Sequence, residues 1–109
     1  MSGASDNQRH AALAAAISDR GPLDHEILGE KAAALGRAGE QAEKTLRRLR
    51  EAEAQGTADG EERARLQKAA ARAVYAYFVQ RELCGLRRHD EIVRRLAIPR
   101  AVLVRLGAV

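Results

Sequence analysis

Leu28, Ala32, Leu35, Gly39, Ala42, Leu46 and Leu49 follow one another at spacings of four, three, four, three, four and three residues. That alternation is the two-per-heptad seam of an α-helix lying along another helix. A strand repeats every two residues and cannot present such a stripe on one face. Three glycines, Gly29, Gly36 and Gly39, interrupt the same stretch. Each costs a helix interior about 1 kcal/mol relative to alanine. Close approach of another backbone or of a bulky ring offsets a cost of that kind, so residues 23–55 read as a packing surface.

The remaining chain divides around this helix. Residues 1–5 are polar, and 6–19 read as a short helix, with Ser5 and Gln8 at capping-box spacing, Leu13 and Ile17 one turn apart, and Gly21 closing it. Pro22 breaks the chain and opens the helix over 23–55. Gln55-Gly56-Thr57-Ala58-Asp59-Gly60 is the clearest linker. A second long helix is expected over 61–88, with Asp59, Glu61 and Glu62 at its positive end. Its apolar arc is wide between residues 73 and 86, which predicts cover on more than one side, and Gly85 counts as a further costly helical glycine. Residues 90–97 and 100–106 read as two short terminal helices, the second opened by Pro99 and followed by Gly107. The short linker makes the long helices antiparallel. The expected fold is therefore all-α: an antiparallel pair of long helices with short N- and C-terminal helices packed on it as a single domain.

Composition limits the core. The chain has 109 residues, and 46% are hydrophobic, but alanine supplies almost half of these. There is no Trp, one Phe and two Tyr. So thin a core in so short a chain predicts self-association, with the 28–49 seam as the interface of a homodimer. The net charge of +4 is uneven: residues 1–60 carry 8 basic and 10 acidic side chains, residues 61–109 carry 11 and 5. The basic half suits an acidic partner, nucleic acid included. No apolar run is long enough to span a membrane, and the expected location is the cytoplasm.

Few residues offer chemistry. All three aromatics fall between 75 and 78, and Tyr75 and Phe78 share a face. They are expected to fill the space left by Gly29, Ala32, Ala33 and Gly36, large against small; a stacking platform for bases is the functional alternative. Asp24, His25, Glu26 and Glu30 are ligand-type residues, but acids also favour the first turn of a helix, and no Glu-x-x-His pair accompanies them, so no metal is expected. Cys84 is the only cysteine, which excludes an internal disulfide. It falls on the apolar face, where a thiol behaves as a small hydrophobe. No phosphate loop, nucleophile triad or acid pair is present, so neither catalysis nor a cofactor is expected.

The C-terminal segment supplies a competing reading. Residues 90–106 resemble a helix-turn-helix, with apolar residues at 92, 93, 96, 98, 103 and 106, and Ala97-Ile98-Pro99 where the turn belongs. Arg94, Arg95, Arg100 and Arg105 are the candidate contacts to nucleic acid. The would-be recognition face offers Ala101, Val102 and Val104, which read no base, and the second helix is short.

The blocks 26–32 (EILGEKA), 35–37 (LGR), 77–87 (YFVQRELCGLR), 98–100 (IPR) and 106–107 (LG) resemble a bacterial family of short, all-helical proteins known only as a domain of unknown function. The likeness spans roughly residues 23–107. It implies a compact helical domain with no assigned activity, cofactor or catalytic residue. The combined expectation is a non-catalytic interaction module, acting as a homodimer or with another protein partner, with a small DNA-binding regulator as the alternative.

Overall fold

A computed structural model describes residues 22–106, with side chains described from Glu26 onward; the short helix expected over 6–19 lies outside the described residues. Four helices follow: α1 (Pro22–Gln55), α2 (Gly60–Leu83), α3 (Asp90–Arg95) and α4 (Arg100–Leu103). No strand occurs among the described residues. Pro22 is the first residue of α1, where its missing N–H has no helical partner to lose. Asp59 caps α2, its Oδ1 accepting from the Glu62 amide at 2.8 Å.

α1 and α2 form the antiparallel hairpin that the seam predicts, and α4 packs on α2. The second cover expected for the wide arc of α2 is thus the C-terminal corner of the same chain. At a rise of about 1.5 Å per residue, the 34 residues of α1 run for about 51 Å, close to the 53 Å length of the described molecule. α2 is ten residues shorter. Its end is marked by Cys84, whose Sγ lies 3.9 Å from the Lys31 carbonyl, so the first turns of α1 project beyond it.

The core joins Leu35, Ala42, Leu46 and Leu49 of α1 to Ala70, Val74 and Tyr77 of α2. Ile92, Leu96, Ile98 and Val102 close it from the C-terminal corner. The seam is therefore covered by the protein's own α2. Thr45, buried among these apolar residues, satisfies its hydroxyl on the Gln41 and Ala42 carbonyls one turn back.

α1, α2 and α3 all end in the same hydrogen-bond pattern. The amides of Thr57, Leu86 and Ile98 reach back to the carbonyls of Ala52, Arg81 and Val93, and those of Gly56, Gly85 and Ala97 to Glu53, Glu82 and Arg94. These are Schellman motifs, which require a left-handed residue at the reversal. Gly56 and Gly85 supply it at φ +63° and +85°, and Ala97 adopts it at φ +50° despite its Cβ. Gly85 is thus the stop signal of α2. That corrects the reading of a helix continuing to residue 88, since a helical glycine and a terminating glycine differ only in φ. α3 stops at Arg95 for the same reason, two residues short of the expected 97, and α4 is a single turn rather than a helix over 100–106.

Candidate functional site

The glycines of α1 do different things. A Cβ built on Gly39 would lie 3.2 Å from Cε1 and 3.3 Å from Cζ of Tyr77, a ring with no exposed surface. Gly39 and Tyr77 are therefore the close pair of the hairpin. The socket expected from Gly29 and Gly36 for Tyr75 and Phe78 does not form: among the described residues neither glycine has an atom within 4 Å of a built Cβ. Tyr75 is 47% exposed. Phe78 stacks instead on His89, ring centroids 4.1 Å apart and planes 2° from parallel.

That stack belongs to a corner that fixes the chain after α2. Arg81 is buried, with its guanidinium 5.8 Å from the Tyr77 ring centroid. Its Nη2 donates to the Arg88 carbonyl at 2.8 Å and its Nε to His89 Nδ1 at 3.2 Å. A guanidinium cannot accept, so Nδ1 is the acceptor. The ring proton is thereby assigned to Nε2, which faces Glu82 Oε2 at 2.9 Å. Cys84 nearby is half-buried. Desolvation pushes its thiol above the ordinary 9.0, and the Lys31 ammonium only partly opposes this. Such a thiol is not an activated nucleophile.

Positions 29, 36, 43 and 50 are successive heptad steps and share one flank of α1. The flank has two halves. Around Glu43 and Arg50 it is covered by the end of α3, and a cavity of about 230 Å³ remains between them. Leu46 and Leu96 line its apolar part, and Arg47, Arg50, Arg95 and Glu43 are the charged residues of the lining. Arg50 Nη1 donates to the Leu96 carbonyl at 3.3 Å, and Arg95 is bound to Glu91 on its own helix. Around Gly29 and Gly36 no described residue covers the flank, and exposed Ile27 lies beside it.

The residues expected to form an interface divide accordingly. Leu35, Gly39, Ala42, Leu46 and Leu49 are buried within the hairpin, whereas Leu28, Gly29, Ala32 and Gly36 keep part of their surface. The four arginines of the C-terminal segment make no common reading face. Arg95 is held by Glu91 with its side chain 10% exposed, Arg105 Nη2 donates to Gln67 Oε1 at 3.0 Å, and Arg94 and Arg100 are exposed. Val102, on the single turn that would have to read bases, is fully buried in the core. Among the described residues no three His, Cys, Asp or Glu side chains gather to hold a metal; Asp24 and His25 have no described side chains. None of the described helices is long and apolar enough to cross a membrane. The basic cavity was not foreseen. Arg47 and Arg50 lie one turn apart in the sequence, but nothing local reveals that Arg95 joins them.

A long helical hairpin closed by a short helical corner defines a small all-α domain with no catalytic constellation among its described side chains. The chain belongs to DUF6665, a family of unknown function whose model matches residues 9–109. This is the kind of family that the blocks at 26–37, 77–87 and 98–107 resemble. No curated protein and no solved structure matches the chain.

Proposed function

We propose that this protein is a non-catalytic interaction module that acts as a homodimer, two copies meeting across the open flank of α1 at Gly29, Ala32 and Gly36. The observation that carries the reading is the contrast among the glycines. Gly39 is matched to Tyr77 within the chain, but Gly29 and Gly36 each cost the helix about 1 kcal/mol and meet nothing within 4 Å among the described residues. A second helix approaching this flank turns the missing side chains into close backbone contact, and Ile27 and Leu28 supply apolar area beside it. A two-fold dimer uses the same patch on both copies, so one open flank suffices. Of the 28–49 seam first expected, only Leu28 and Ala32 take part, because Leu35, Leu46 and Leu49 are already buried within the chain. The reading places the protein in the cytoplasm, where a lone reduced thiol such as Cys84 persists.

Light scattering at micromolar concentration tests it. The expected mass is about 24 kDa, twice the 11.9 kDa chain. A stable 11.9 kDa species there refutes the dimer. Gly36→Leu is expected to give that monomer with its helical signal intact, because the monomer has room for the side chain. A Gly36→Leu variant that dimerises as tightly as the parent removes the flank from the interface.

A further inference from the structure

We propose that the cavity between α1 and the end of α3 binds a small organic anion, one phosphate or carboxylate group on a short apolar skeleton. The proposal does not depend on the dimer, since the cavity lies on the covered half of the flank.

Three arginines, Arg47, Arg50 and Arg95, line a cavity of about 230 Å³, with Glu43 the only carboxylate in the lining. With Arg95 paired to Glu91, the lining keeps an excess of positive charge that an anion would offset. Two of the three are already held in place. Arg95 is almost fully covered and paired with Glu91, and Arg50 is anchored through Nη1 on the Leu96 carbonyl. That bond also matters for charge. The carbonyl end of α3 would repel an anion, and Arg50 neutralises it while keeping its other N–H donors. Arg47 is exposed at the rim, where its planar fork can close on an oxyanion in bidentate fashion. Leu46 and Leu96, both buried, form an apolar floor that suits a carbon skeleton better than a bare ion. A volume of about 230 Å³ suits a small molecule.

Titration of the full chain with phenyl phosphate and with benzoate, followed by amide chemical shifts, tests the proposal. Saturable binding with shifts at residues 43–50 and 95–97 is expected. Phenyl phosphate alone would assign a phosphate head group, and benzoate alone a carboxylate. Arg47→Gln should weaken binding about tenfold, as loss of a charge-assisted hydrogen bond does. Glu43→Gln should tighten it about two- to fivefold by removing the one carboxylate in the lining. Lys31→Gln, exposed and about 24 Å from Arg47 along α1, should change nothing. Failure of both probes to saturate by about 10 mM (a Kd already weaker than about −3 kcal/mol of binding) overturns the site. So does an affinity indifferent to Arg47→Gln, or one that Glu43→Gln weakens.

Discussion

Replacing Gly39 with alanine sets two effects of known sign against each other. The added methyl improves helix propensity by about 1 kcal/mol. It also arrives 3.2, 3.3 and 3.5 Å from Cε1, Cζ and the hydroxyl oxygen of Tyr77. That ring is fully buried between Leu35, Ala42 and Val74 in the same core, so it can yield only by displacing its neighbours. Overpacking of this kind costs about 1–3 kcal/mol, and Gly39→Ala is expected to be between neutral and about 2 kcal/mol less stable than the parent. Gly36→Ala gains the same propensity with no atom of the described residues within 4 Å and should be about 1 kcal/mol more stable. The separation between the two variants is the overpacking cost itself. At about 4–8 °C per kcal/mol for a domain near this size, it amounts to at least about 4 °C in Tm. Urea and thermal melts followed at 222 nm, at a concentration low enough to hold both variants monomeric, measure it. On a Tyr77→Leu background the Gly39→Ala penalty should vanish. Equal stabilisation by Gly36→Ala and Gly39→Ala in the parent background would refute the Gly39–Tyr77 contact.

Two further outcomes follow from the helix ends and the thiol. Ala97→Gly should stabilise the protein by about 0.5–1 kcal/mol, since the left-handed φ strains alanine by more than glycine's added chain entropy takes back; a lower urea midpoint would contradict the assigned backbone. Cys84 should react with iodoacetamide at pH 8 more slowly in the native protein than in urea, because burial raises its thiol above 9.0. A raised value in the folded state means the thiol contributes stability below the unfolded value. That contribution is lost as pH rises through the folded value, so stability should fall on the alkaline side above about pH 9, and less steeply in Cys84→Ala. Equal native and denatured alkylation rates would show that the thiol is not desolvated.

The hairpin was legible because the 28–49 spacing and the Gln55–Gly60 linker are local signals. The ring that fills its narrowest point was harder to choose. α2 is covered by α1 and by the C-terminal corner, so its apolar arc is too wide for periodicity to rank Tyr75, Tyr77 and Phe78. A signal was nonetheless present: Tyr77 lies seven residues after Ala70, on the stripe of small residues that faces the seam, and Gly39 lies on the seam itself. The flank of Gly29 and Gly36 has the same composition but no close partner among the described residues, and composition does not carry that distinction. The end of α2 was misjudged because Gly85 shows its role only through φ. Arg47, Arg50 and Arg95 meet through tertiary packing across 48 residues of sequence, beyond the reach of any helical spacing rule.

The corner after α2 constrains how copies of this chain can come together. To exchange C-terminal helices between molecules, the segment 84–89 would have to straighten into a hinge. Straightening it forfeits the bond from Arg81 to the Arg88 carbonyl, its bond to His89 and the Phe78–His89 stack, all at once. Each of those groups sits on α2 or within six residues of its end, so α2 carries the return path of its own chain. Domain swapping, a common low-cost route to dimers, is thereby disfavoured. A dimer of the proposed kind would then form between finished folds, and mixing labelled and unlabelled chains should exchange subunits without a denaturation step.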